Sequence, residues 1–271
     1  IQCWGAGDNG RLGTGNTNDQ EYPADVSLTG TATFIDCGRA HACAVMSDGS
    51  MYCWGSNNKE QVGDDSSSDR STPVKLSIGS GVQTSEVACG REHTCFLSTS
   101  GKIKCWGEGS GGRLGYGDSD DESAPSNAFV NIGGTAISVV AGDYHTCGLL
   151  SGGTLKCWGE GSDGATGLDT SSDRYTPNTV SGAGTVAQVC AGREHTCVRT
   201  TSGTVRCTGR NSEGQLGIGS TSSRDTFSSD IDFGDTDDNS NSFAGALLAD
   251  GTVWTWGSDD EGQLSQTSTS S

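Results

Sequence analysis

The stretch His93-Thr-Cys-Phe-Leu-Ser-Thr-Ser-Gly-Lys-Ile-Lys-Cys-Trp106 decides the fold. Read as a hairpin, it pairs Cys95 with Cys105 and Leu97 with Ile103, leaving Thr99-Ser100-Gly101 as the turn. A three-residue turn ending on a left-handed glycine is a favoured hairpin connection. Side chains alternate across a strand, so the two cysteines and the aliphatic pair fall on one face. The turn chemistry returns as Ser47-Asp48-Gly49, Ser151-Gly152-Gly153, Thr201-Ser202-Gly203 and Ala249-Asp250-Gly251.

Working outward from this hairpin, the whole chain is periodic. Trp-Gly or its counterpart recurs at Trp4, Trp54, Trp106, Trp158, Thr208 and Trp256, spaced 50, 52, 52, 50 and 48 residues apart. Nineteen residues always separate this position from Pro23, Pro73, Pro125 and Pro177, with Phe227 in the fifth unit. Thirteen residues always separate His41, His93, His145, His195 and the substituted Phe243 from the next Trp-Gly. Length varies only between these fixed blocks, which is where loops belong. Periods of this length signal stacked repeats rather than one continuous core.

Composition agrees with an all-β chain rich in turns. The 271 residues carry 43 glycines, only 4 prolines, 12 cysteines and 6 tryptophans, with a formal net charge of -18. Crosslinks and large aromatics supply stability that the thin aliphatic content cannot. No run of about 18 apolar residues marks a membrane helix. Phosphate-backbone binding needs clustered Lys and Arg, so nucleic acid is an unfavoured partner. The chain begins at Ile1 without a methionine or signal peptide, which reads as earlier processing or truncation.

Trp-Gly, then Gly-x-Leu-Gly (Gly10 to Gly13, Gly112 to Gly115, Gly214 to Gly217), then Pro, then Gly-x-x-His-Thr-Cys resembles the repeats of the regulator of chromosome condensation. The resemblance covers nearly the whole chain and implies a β-propeller. Its units fall at about 5–55, 55–107, 107–159, 159–209 and 209–257, with a partial unit at 257–271, in one propeller domain over 1–271. Cysteines in the hairpins are similar to the extracellular branch, such as the ectodomains of crinkly-type plant receptor kinases and secreted microbial proteins. The nuclear members exchange nucleotide on the GTPase Ran; cysteine clips and the lack of a basic tail set this chain apart from them.

Four couples, Cys43/Cys53, Cys95/Cys105, Cys147/Cys157 and Cys197/Cys207, lie ten residues apart, and the fifth unit loses both members together as Gly245 and Thr255. Opposed strand positions bring β-carbons within disulfide reach, so disulfides are expected. His-x-Cys with a second Cys ten residues on also offers three zinc ligands on one face. Four identical such sites in one small protein would be odd, whereas hairpin clips repeat naturally. The histidines are therefore expected to be structural, each bonding backbone at the start of its strand. Cys3, Cys37, Cys89 and Cys190 stay unassigned, either bridging adjacent inner strands or remaining reduced.

No triad, nucleophile elbow or P-loop arrangement appears, and every histidine belongs to the repeat, so no enzyme is expected. Two breaks in the repeat stand out. Thr208 replaces a tryptophan and reads as a tolerated packing change. Asp235, Asp237, Asn239 and Asn241 place oxygens as a calcium loop does, but Ser240 stands where glycine belongs and Ala246 where glutamate does, so a solvated strand is favoured and no cofactor is expected. The acidic loops Asp64 to Arg70, Asp118 to Glu122 and Asp169 to Arg174 read as a solvated surface.

Ile1-Gln-Cys3-Trp4-Gly5 copies the second hairpin strand without its first, compared with Lys102 to Gly107. Such a strand is expected to pair outside its own blade, with Cys3 opposite a cysteine of another blade or chain. The expectation is an extracellular or cell-surface structural or adhesive propeller, a subunit of a surface filament or assembly with itself as partner. The alternative is a protein-binding module, either a receptor ectodomain or a secreted inhibitor resembling the propeller that blocks β-lactamases.

Overall fold

The computed structural model describes residues 1–125, 128–228, 230–231, 243–247 and 253–257. Strand β1 (Gln2–Gly5) pairs antiparallel with β2 (Gln20–Asp25) in a two-stranded sheet. A four-stranded sheet follows in meander order: β3 (Ala32–Cys37), β4 (His41–Met46), β5 (Met51–Gly55) and β6 (Arg70–Lys75). The next sheet holds β7 (Thr84–Cys89), β8 (His93–Ser98) and β9 (Ile103–Gly107), extended by a bridge from Gly107 to Glu122. Then come β10 (Ala136–Ala141), β11 (His145–Leu150), β12 (Leu155–Gly159) and β13 (Arg174–Thr179). A fourth blade contains β14 (Val186–Ala191), β15 (His195–Thr200) and β16 (Val205–Gly209), with a bridge from Gly209 to Arg224. Strands β17 (Phe243–Leu247) and β18 (Val253–Gly257) form a last hairpin.

The central hairpin of every blade has the register that alternation demands. Cys95 faces Cys105 and Leu97 faces Ile103. In β17–β18 the same positions are Gly245 and Thr255. Gly101 has φ 75° and Gly49 φ 77°, conformations that side chains with a Cβ resist, so the glycine closes each three-residue turn. Pro23, Pro73 and Pro177 all lie on the outermost strand of their sheets, where a missing N–H breaks no ladder bond. Each outermost strand follows the Trp-Gly of its own blade, so a sheet crosses from one sequence unit into the next.

The core is divided into wedges between blades. One wedge joins Cys43, Met51 and Cys53 of one blade to Val87, Phe96 and Trp106 of the next. The following wedges repeat this with Cys95, Ile103 and Trp158, then with Cys147, Leu155 and Phe227. Burial of apolar surface contributes roughly 25 cal/mol per Å², and the large rings of Trp54, Trp106, Trp158 and Phe227 concentrate that area where the aliphatic content is thin. The inner strands β3, β7, β10 and β14 lie side by side, as propeller blades do around an axis.

Candidate functional site

The seam between blades carries the repeat's polar chemistry. His41 Nε2 lies 2.8 Å from Thr94 Oγ1 of the next blade, His93 Nε2 2.9 Å from Thr146 Oγ1 and His145 Nε2 2.7 Å from Thr196 Oγ1. Each threonine hydroxyl donates onward to a carbonyl, at Gln61 (2.7 Å), Arg113 (2.9 Å) and Ala165 (2.7 Å). Its proton is thereby spent, so the threonine accepts from the imidazole and each of these histidines carries its proton on Nε2. The carbonyls of Gln61 and Arg113 also receive the indole N–H of Trp106 (3.0 Å) and Trp158 (2.9 Å), and Trp54 donates to Arg11 in the same way. The expected histidine bond to backbone within its own strand is corrected: the partner is a side chain one blade on. The nearest partner for a side chain on a packed sheet face lies across the seam.

Burial holds these imidazoles neutral. His41 is lowered to about 4 and His145 to about 3 by desolvation, and His93 is held well below its ordinary value by burial, with Arg113 adding to the effect. They are mortar between blades and have no access to a substrate.

Two breaks in the repeat turn out to be one. Trp106 and Trp158 press their rings flat against Gly63 and Gly115, leaving no room for a Cβ. Against the equivalent Gly167 lies Phe227, fully buried, with the Thr208 methyl beside it. Phe227 stands at the proline position nineteen residues after Thr208, and it fills the seat that the missing indole vacates. The Thr208 hydroxyl lies 2.8 Å from the Arg224 carbonyl and 3.1 Å from that of Gly164, between which its single proton is shared.

The acidic loops contain a second repeated device that charge alone conceals. Asp19, Asp69, Asp121 and Asp173 each accept the backbone N–H twelve residues earlier, from Gly7, Asn57, Gly109 and Gly161, at 2.8 to 3.1 Å. Ser223 does the same for Asn211. The signal was present, since each of these aspartates lies four residues before the repeat's proline. Asp64 also pairs with Arg70.

All four cysteine couples are joined as disulfides, with Cα atoms 4.0 to 4.1 Å apart. Cys3, Cys37, Cys89 and Cys190 are free thiols. Cys37 is exposed as a residue, yet its thiol is pushed up to about 11 by burial around the sulfur, then by Asp36 and Cys3. Cys3 sits opposite Ala24 and packs against the wedge of Val26, Ala42, Ala44 and Trp54, so β1 pairs with β2 of its own chain rather than placing Cys3 opposite another cysteine. Asp235, Asp237, Asn239 and Asn241 lie outside the described residues.

The inner-strand ends surround a hollow of about 380 Å³, lined by backbone at Gly38, Gly90, Gly142 and Gly192 and by Arg39, Arg91, Asp143 and Arg193. Arg193 lies 3.1 Å and Arg91 4.0 Å from Asp143. The arginines there outnumber the single aspartate, so the hollow keeps a net positive charge, and the thiol-bearing Cys37 and Cys89 also line it.

Stacked blades, a recurrent buried Trp-Gly tryptophan and His–Thr seams define a propeller of the regulator-of-chromosome-condensation type. The model of the RCC1-like domain matches residues 1–271, and the chain belongs to that family. It is 34% identical over 185 residues to the ultraviolet-B receptor UVR8 of Arabidopsis thaliana, covering 67% of this chain and 42% of UVR8. The chain thus spans less than half the length of that relative. Among solved structures, human WBSCR16 superposes with TM-score 0.80 at 20% identity, covering 94% of this chain and 73% of that one. Prp20p of Saccharomyces cerevisiae, whose structure is described with its binding to Gsp1p and histones, superposes with TM-score 0.77 at 20% identity over 97% of this chain and 67% of its own.

Proposed function

We propose that this chain is a non-enzymatic protein-binding propeller working outside the cell, presenting rigid loop surfaces to a protein partner. One observation carries the reading: His41, His93 and His145 and the threonines they meet are consumed in blade-to-blade bonds, so chemistry left for function lies in the surface loops. The binding of Gsp1p and histones by Prp20p supports a protein as the ligand class. Disulfides in the four hairpins from β4–β5 to β15–β16 support an oxidising compartment.

The finer reading is a structural or adhesive role in which a second copy is the first partner. Trp4 is 62% exposed and Tyr22 78% on the β1–β2 sheet, an aromatic edge of the kind that strand addition covers. Sedimentation velocity with electron microscopy tests it. Concentration-dependent assembly, lost in Trp4→Ser, is the expected outcome, and a monomer at every concentration defeats self-association. In that case a receptor ectodomain or secreted inhibitor becomes the favoured form of the binding module.

A further inference from the structure

The clipped hairpins differ in what the next blade sets beside them. The inner strand of the following blade ends in Cys89 beside the first hairpin, whereas the equivalent strand ends are Ala141 and Ala191 beside the second and third. His41, Cys43 and Cys89 are all buried, and their ligand atoms lie within 4.8 Å of one another. Cys53, bonded to Cys43, adds a third sulfur at the same place.

His41 supplies the second, independent observation. Thr94 spends its proton on the Gln61 carbonyl and must accept from His41 Nε2, so Nδ1 carries a bare lone pair. That Nδ1 is buried and has no hydrogen-bond partner. An imidazole whose Nε2–H is anchored by a second group while Nδ1 stays free has the arrangement that metal-binding histidines adopt. His93 Nδ1 is likewise unpartnered, but the strand end beside its hairpin is Ala141 and brings no third sulfur.

We propose that this seam is a latent zinc site of three sulfurs and one nitrogen, closed while the Cys43–Cys53 bridge stands and opened by its reduction. A dithiol reductant delivers two electrons and two protons and itself becomes a disulfide, leaving Cys43 and Cys53 as thiols. Zinc then displaces the protons of Cys43, Cys53 and Cys89 to solvent, and His41 Nδ1 donates its lone pair without losing a proton. Cys₃His is a closed structural ligand set, so no position is left for substrate. Zn–S bonds of about 2.3 Å place tetrahedral sulfurs roughly 3.8 Å apart, within reach of the spacing present. The bridge clips two strands of one blade; zinc would clip one blade to the next.

The test uses the full chain, reduced with a trialkylphosphine, loaded with zinc chloride and alkylated with iodoacetamide before peptide mapping. One zinc per chain in native mass spectrometry is expected. Cys43, Cys53 and Cys89 should label at least tenfold more slowly with zinc, while Cys95, Cys105, Cys147, Cys157, Cys197 and Cys207 keep their rates. Cys89→Ala installs the residue that the second and third seams already carry, so it is compatible with the fold, and it should abolish protection of Cys43 and Cys53. His41→Gln should weaken it. Uniform protection of all cysteines, protection of none, or protection that survives Cys89→Ala overturns the proposal.

Discussion

Trp4 and Trp106 hold the same place in the repeat, yet the first is 62% exposed and the second is completely buried. The difference lies outside the blade that carries each indole. Trp106 lies against Gly63 and donates to Gln61 of the preceding corner, while among the described residues no such corner covers Trp4. Burial of a blade's tryptophan is therefore a property of its neighbour, and stability passes along the chain through nearest-neighbour seams. The largest effect should follow directly. Trp106→Ala should destabilise by about 3 to 5 kcal/mol, whereas Trp4→Ala should stay within about 0.5 kcal/mol, as read from denaturant unfolding. Equal losses at the two sites would break the comparison.

The clips sharpen it from the covalent side. Closing a ten-residue loop stabilises by roughly 2.7 kcal/mol on the chain-entropy model, so the paired change Cys95→Ser with Cys105→Ser should lose about that much. Peptide mapping without reductant should show all four bridges, and free thiols at these positions would remove the basis for an oxidising compartment.

Acid should act on the same seams. The folded state keeps His41 and His145 neutral down to about 4 and 3, while the unfolded chain protonates them near 6.5. Between these limits the unfolded state binds more protons, so stability falls as pH drops, by about 1.4 kcal/mol per pH unit per histidine. At pH 5 each histidine should thus have removed about 2 kcal/mol relative to pH 6.5 and above. His145→Gln should flatten this part of the curve, and an unchanged slope would show that the buried imidazole does not govern it.

Legibility in the sequence followed distance along the chain. Hairpin register, turn glycines and cysteine couples are set by residues within a dozen positions, and alternation alone places them. The histidine partner lies 51 to 53 residues away, so no local pattern distinguishes Thr94 from a surface threonine. The loop aspartates read as a solvated face because charge dominates their composition, though their fixed offset from proline marked them. Cys89 gave no signal beyond being unpaired, since its significance comes from the hairpin of another blade.

Thr208 and Phe227 give the smallest net effect and the strictest test of the shared wedge. In the seams before them, an indole from the Trp-Gly position covers the corner glycine and a proline, Pro73, Pro125 or Pro177, follows nineteen residues on. In this seam the Trp-Gly position holds only a small hydroxyl, and the ring comes instead from the proline position, so one cavity is filled from either of two places. Thr208→Trp alone adds a second ring to an occupied seat and should cost about 1 to 3 kcal/mol through overpacking. Phe227→Pro alone empties the seat and should cost about 3 to 5 kcal/mol. Together they restore the arrangement of the other units, with the new indole able to share the Ala165 carbonyl, which now accepts from Thr196. The double variant should lie within about 1 kcal/mol of the parent, giving a coupling of several kcal/mol between positions nineteen apart. Additive losses, measured by denaturant unfolding of the four proteins, would show that Phe227 and the tryptophans fill different spaces.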